Sequence, residues 1–145
     1  MRINWFNGNE DLSEAFYIRK KVFVEEQNVP LALEMDELDK DSYHVVIYDD
    51  EPIGTGRIIF QNGLCFLGRI SILKSYRGKG IGNILVKEMI RKAFSLGVNE
   101  VHIHAQSHAE KFYEKLGFEI YGEKFYEASI EHISMVIRKI DTDIN

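Results

Sequence analysis

The chain has 145 residues, with 18 Lys+Arg against 23 Asp+Glu for a formal net charge of -5; 45% of residues are hydrophobic and 28% charged. This is the balance of a folded globular domain, which excludes a disordered or collagen-like chain. The acidic excess excludes nucleic-acid binding through the whole surface, since that depends on many cations neutralising phosphates. The one cysteine, Cys65, can make neither an internal disulfide nor a thiolate metal site, which reads as a reducing compartment. No run approaches 18 apolar residues, and the N-terminal MRINWFNGNEDL turns acidic before any signal-like apolar stretch. The expectation is a cytoplasmic protein without a membrane or nucleic-acid partner. Nothing divides the chain: there is no repeat, no linker and only Pro30 and Pro52, so residues 1–145 read as a single domain. A fold of this length buries roughly 70% of its extended surface, enough for a core without staples.

In chain order, Arg2 to Phe6 reads as a short strand. Asp11-Leu12-Ser13-Glu14 then opens an amphipathic helix to about Glu26, with Ala15, Ile18, Val22 and Glu25/Glu26 at helical spacing, and Pro30 ends the region. Leu31 to Asp41 carries Glu34, Asp36, Glu37, Asp39 and Asp41 and reads as a loop with at most a short helical turn. Its charge fits either a solvated face or attraction of a cationic substrate.

Tyr43 to Tyr48, Ile53 to Phe60 and Leu64 to Ile72 are three strand-like runs forming an antiparallel meander. The last two are joined through Asn62-Gly63, which tolerate the positive φ of a type I′ turn. Gly80 to Leu96 reads as a helix with Ile81, Ile84, Leu85, Met89, Ala93 and Phe94 on its apolar stripe and Gly97 as its cap. Val98 to Ala105 is a strand with His102 and His104 on one face; Ala109 to Leu116 is a short helix. Phe118 to Tyr121 and His132 to Lys139 are the last strands, joined by a loop from about Gly122 to Glu131. The order β-α-β-β-β-α-β-α-β-β gives an α+β domain around one mixed, mostly antiparallel sheet flanked by helices. Its crossover helix makes the fourth and fifth strands parallel.

Chemistry concentrates between Gly68 and Asn83, where a strand enters a loop with Gly78, Gly80 and Gly82 at alternate positions and then a helix N-terminus. Glycines allow close approach of a ligand, and the first N–H groups of a helix have no internal partner, so the loop is an anion cradle suited to phosphate. Lys74, Arg77 and Lys79 add positive charge. A Rossmann fingerprint fails because Asn83 stands where its last glycine belongs. A P-loop fails because Gly-Ile-Gly-Asn replaces Gly-Lys-Ser/Thr.

Arg77-x-x-Gly80-x-Gly82 resembles the acyl-coenzyme A signature of the GNAT superfamily of N-acetyltransferases. Ala109 to Phe118 resembles the superfamily's second signature, and the element order matches over nearly the whole chain. Arg19 to Pro30, followed by Glu34-x-Asp36 and His44, resembles the ElaA-like branch. The resemblance implies an acyl-CoA N-acyltransferase fold and direct attack of an amine on acetyl-CoA. Arg77, Gly78, Lys79, Gly80, Ile81, Gly82 and Asn83 would hold the pyrophosphate. Ile70, Ser71 and Ile72 would pair with the pantetheine arm as an added strand does. A bulge, with Gly68 as its residue, would open the slot for the thioester.

Tyr113 matches the tyrosine that donates to the leaving sulfur in many members; otherwise it is an aromatic packing the short helix. For the general base, Glu26, Asp36, His104, His108 and a water relay all remain open, with Glu26 preferred. Glu26, Gln27 and Asp36 are expected to line the acceptor side. No metal site is expected, since His102, His104 and His108 lack a thiolate partner. Cys65 reads as inert packing and His44 as a structural histidine. The acceptor, a small-molecule or protein amine, is open, and by analogy two copies could pair through Ile133 to Ile137. The alternative is a non-catalytic acyl-CoA-binding or sensing module, which the cradle would serve equally well.

Overall fold

The computed structural model describes residues 1–141. Alternating runs become strands β1 (Arg2–Asn7), β2 (Tyr43–Asp49), β3 (Glu51–Gln61), β4 (Leu64–Ile72), β5 (Glu100–Gln106), β6 (Glu119–Glu127) and β7 (Ile130–Arg138). They form one seven-stranded sheet in the order β1-β2-β3-β4-β5-β7-β6. Every neighbouring pair is antiparallel except β4 with β5, as a helical crossover requires. Among the described residues the α-helices are α1 (Ser13–Arg19), α2 (Leu31–Glu34), α3 (Ile81–Ser95) and α4 (Glu110–Lys115). Asn62 and Gly63, at φ of 54° and 78°, make the tight β3–β4 turn that their chemistry predicts.

Each face of the sheet carries its own apolar layer. On one face, Ile81, Leu85, Val86, Met89, Ile90, Ala93 and Phe94 of α3 pack with Val45, Ile47, Ile58, Leu67, Ile103 and Met135. On the other, Ala15, Ile18 and Val22 cover Val46 and Tyr48. Strand alternation produces this division, since Val45 and Ile47 point one way and Val46 and Tyr48 the other. No helix among the described residues is long and apolar enough to cross a membrane.

Three expectations need correction. The helix expected to run to Glu26 does so, but from Lys20 to Glu26 it is a π-helix, with Gln27 N–H reaching back to Val22 O at 3.1 Å. Such widened turns are associated with functional sites. Ile84, placed on the apolar stripe of α3, is 44% exposed. The loop expected from Gly122 to Glu131 is largely strand: β6 and β7 have nine residues each and turn only at Ala128 and Ser129, both with left-handed φ. Strand β6 lies at the sheet edge and is exposed on both faces, so it has no apolar alternation for a sequence reading to detect.

The acidic run after Pro30 is not a solvated face. Glu34, Asp36 and Asp39 meet Arg19, Arg57 and Arg69, joining α1, α2, the 3-10 turn Glu37–Asp41, β3 and β4. Arg19 Nη1 donates to Asp39 Oδ1 at 2.7 Å and its Nη2 to Glu34 O at 2.7 Å, while Arg57 forks onto Asp36 at 2.7 and 2.9 Å. Arg69 reaches Glu34 Oε2 at 2.9 Å and Asp36 Oδ2 at 3.1 Å. Three carboxylates thus face three guanidiniums.

Burial opposes ionisation of Asp36 and Asp39, but the bonds from Arg57 and Arg19 prevail and hold both below 3.8, while burial pushes Glu34 upward. The two aspartates therefore add stability that is complete above their unfolded value and is lost as pH falls through their folded values. Glu34 acts in the opposite sense, since its ionisation costs stability above 4.5.

Arg19 is 1% exposed, so Arg19→Met would take from the buried carboxylates of Glu34 and Asp39 one of the two guanidiniums each of them faces, leaving Arg69 and Arg57. We expect it to lower the unfolding free energy from urea titration by about 3 kcal/mol. A loss below about 1 kcal/mol would show that the cluster does not organise this half of the fold.

Candidate active site

Strands β4 and β5 are paired only at Phe66↔His102 and Leu67↔Ile103. Beyond Leu67, β4 continues along β3 alone, with Thr55 opposite Ser71 and Gly54 opposite Ile72. A bulge accompanies the separation: between Thr55↔Ser71 and Arg57↔Gly68, β4 holds one residue more than β3. The left-handed residue in it is Arg69, at φ 51°, rather than Gly68, which only flanks it. A non-glycine residue there carries strain of order 1–3 kcal/mol, and the ion pairs of Arg69 hold it in place.

Among the described residues, the β5-facing edge of Ile70, Ser71 and Ile72 is consequently free of strand pairing. Unpaired main-chain groups on a strand edge are a template for an extended ligand. Ser71 is buried, and its Oγ has no hydrogen-bond partner among the described residues.

Past Ile72 the chain makes a 3-10 turn at Lys74–Tyr76 and enters α3 through Gly78 and Gly80, whose φ values of 77° and 79° favour glycine. A Cβ built on either would meet nothing within 4 Å, so the surface in front of the helix is open. Gly82 lies inside α3, where a Cβ would make only ordinary contact with Phe112, at 3.5 Å. No side chain caps α3; its ladder starts with Ile84 N–H on Gly80 O, which leaves the N–H groups of Ile81, Gly82 and Asn83 ahead of it. Together with the positive end of a 15-residue helix, these amides fit a phosphate group. Lys79 sits with its Nζ 5.4 Å from the Tyr76 ring centroid.

The expected contribution of Arg77 is different. Its amide is used by Lys74 O at 3.3 Å, and its guanidinium donates to Ile72 O at 2.9 Å and to both carboxylate oxygens of Glu26. Arg77 therefore ties the π-helix to the end of β4. Glu26 is held below its usual value by the Arg77 bonds, which makes it a weak proton acceptor in this arrangement. A cleft of about 530 Å³ lies between the π-helix and the post-β4 turn, with Val22, Glu26, Leu73 and Lys74 in its walls.

Gln27, next along, exchanges two amide hydrogen bonds with Gln106 at the end of β5, at 3.0 and 3.2 Å. Glu26 and Gln27 thus reach the two walls of the separated strands. Asp36, expected on the acceptor side, spends its carboxylate on Arg57 and Arg69.

Tyr113 of α4 is 8% exposed and packs edge-on against Phe112 and Phe118, with ring centroids at 5.0 and 5.7 Å. It joins Ile103 and Ala105 in the apolar layer, and burial pushes its phenol well above 10.0, so it stays protonated. His44 is buried, with Nε2 at 2.8 Å from Asp39 O, and burial lowers its basicity. His108 Nε2 lies 2.8 Å from Gln106 Oε1. Cys65 is buried and its thiol is pushed up to about 11, which keeps it from being a nucleophile.

Reading the sequence residue by residue missed Gln106, Arg57, Arg69 and Glu127. Arginines at 57 and 69, inside otherwise apolar strand runs and facing an acidic run earlier in the chain, were the available signal.

This geometry has relatives. The sequence model described as an acetyltransferase (GNAT) domain matches residues 9–139. An uncharacterised N-acetyltransferase of Bacillus subtilis (strain 168), YjcF, is 43% identical over 129 residues, covering 88% of this chain and 92% of that protein. The crystal structure of Escherichia coli ElaA superimposes with a TM-score of 0.87 at 26% identity, covering 95% of this chain and 100% of the other. An acyl-CoA N-acyltransferase from Pseudomonas aeruginosa does so with a TM-score of 0.85 at 26% identity, covering 94% and 99%. A family model that spans residues 9–139 and a relative 43% identical over 88% of the chain, in a fold shared over 94–95% of it with the two structures, identify the chain as a member of the GNAT family of acetyltransferases.

Proposed function

We propose that the protein transfers an acetyl group from acetyl-CoA to a primary amine by direct attack. The observation that carries this reading is the continuous surface from the unpaired edge of β4, through two left-handed glycines, to the uncapped start of α3. An extended thioester donor with a pyrophosphate at its other end matches that surface along its length. The similarity to an acyl-CoA N-acyltransferase supports the same donor class.

The residues divide the work. Amides of Gly78 to Asn83 bind the pyrophosphate, with Lys79 adding charge, and main-chain groups of Ile70, Ser71 and Ile72 hold the pantetheine arm. The arm's thioester end then lies at the bulge around Arg69, where β4 leaves β5. Tyr113, kept protonated by burial, donates a hydrogen bond to the sulfur as negative charge builds on it. Glu26 serves through Arg77 as a positioning residue that fixes the end of β4. Gln27, on the acceptor side of the slot, is the polar group an incoming amine meets. The acceptor is a primary amine on a small molecule or a protein.

Cofactor binding and folding separate cleanly at Asn83, the third residue of α3. A carboxylate there favours the helix by about 0.3–1 kcal/mol but repels a phosphate. Asn83→Glu should therefore keep or raise the melting temperature while weakening acetyl-CoA binding in calorimetry by about tenfold or more. Undiminished binding would move the pyrophosphate away from this loop. For Tyr113→Phe, free-thiol release should drop by about 10²-fold at saturating acetyl-CoA with binding retained. An unchanged rate with every amine tested would remove Tyr113 from the reaction.

A further inference from the structure

We infer that His104 is the group that takes the proton from the attacking amine and that Glu127 positions it, an assignment that rests on the acetyl-transfer reading above. His104 is the residue immediately after the last β4–β5 pair, Leu67↔Ile103, and so stands where the slot opens. Alternation along β5 sends Ile103 and Ala105 into the layer containing Tyr113 and turns His104 to the opposite face. The proposed donor to sulfur and this imidazole therefore approach the slot from opposite sides of the sheet, as two proton transfers at different atoms require.

The imidazole is held but not used up. Its Nδ1 lies 3.0 Å from Glu127 Oε1, near the far end of β6. Its ring is edge-on to Phe125 at 5.0 Å and to Phe66 at 5.2 Å. Nε2 has no hydrogen-bond partner among the described residues, and the side chain is 40% exposed. A carboxylate accepting from Nδ1–H selects the tautomer with a bare Nε2, the form able to accept a proton. Glu127 is kept ionised, held below its usual value by its bond to His104 and by the charges of His132 from β7 and Arg69 from β4. His102, two residues back on the same face, is engaged elsewhere, with Tyr121 Oη at 2.8 Å and Glu100 at 3.2 Å.

The proton and electron count closes. The ammonium form of the acceptor gives one proton to Nε2 and becomes a neutral amine. Its lone pair makes the C–N bond, and the C–S bonding pair leaves with sulfur. The second proton lost from nitrogen ends on that sulfur as free thiol, and the imidazolium returns its proton to water.

Two amines at high concentration test this with acetyl-CoA and the full chain. Ethylamine is protonated at neutral pH and needs the base, whereas hydroxylamine is already neutral. His104→Asn keeps a donor near the Nδ1 position but has no group at Nε2. We expect it to slow thiol release by about 10²-fold with ethylamine and by less than about tenfold with hydroxylamine. Glu127→Gln should show the same selectivity at smaller amplitude. In wild type without donor, nitrogen-15 NMR in mildly alkaline buffer should show the His104 proton on Nδ1. Equal losses with both amines, no loss with either, or a proton on Nε2 would overturn the assignment. A wild-type protein that binds acetyl-CoA yet releases no thiol with either amine overturns the acetyl-transfer reading itself, and this assignment with it.

Discussion

The site depends on one backbone event, the left-handed turn of β4 at Arg69 beside the last residues that β4 shares with β5. A bulky residue does not adopt that conformation without compensation. Here the guanidinium of Arg69 is bound to Glu34 and Asp36, which are bound in turn by Arg19 and Arg57. The acidic segment after Pro30 thus acts at a distance in sequence. It supplies the counter-charges at the bulge of β4, and past the bulge the strand edge facing β5 is left unpaired among the described residues.

A cluster of six charges, of which Arg19, Glu34, Asp39 and Arg57 are buried, is a weak source of net stability, because desolvation offsets much of the attraction. Its value in this fold is positional. Hydrogen bonds to carboxylates are directional, and forked ones more so. They fix how α1, α2 and the turn before β2 sit against β3 and β4. The π-helix continues from α1 and carries Glu26 and Gln27 to the two walls of the slot. An apolar cluster of equal volume would not specify those directions.

Much of this was legible in the sequence. The Asn62-Gly63 turn, the apolar stripe of α3 and the crossover to a parallel strand follow from local chemistry, and the glycine loop points to the family. What was not legible depends on partners far apart in the chain. Glu34 and Asp39 look like surface charge until Arg19 and Arg57 are brought to them by folding, and the same is true of Glu26 beside Arg77. The part of β6 beyond Tyr121 reads as loop because an edge strand exposed on both faces is free of the alternation that marks a half-buried one. Gly68 was the natural choice for the bulge on propensity alone. The ion pairs of Arg69 override that preference, a case of tertiary contacts deciding a backbone conformation.

In the proposed reaction an acyl-CoA thioester lies along the free edge of β4 with its pyrophosphate at the start of α3. Amide chemical-shift mapping during titration with acetyl-CoA tests it most directly, because it reports on the main-chain groups that should hold the ligand. The largest saturable shifts are expected at Gly78, Lys79, Gly80, Ile81, Gly82 and Asn83, with a second group at Ile70, Ser71 and Ile72. Shifts confined to the cleft between Val22 and Lys74, or no saturable shift at millimolar ligand, would contradict it.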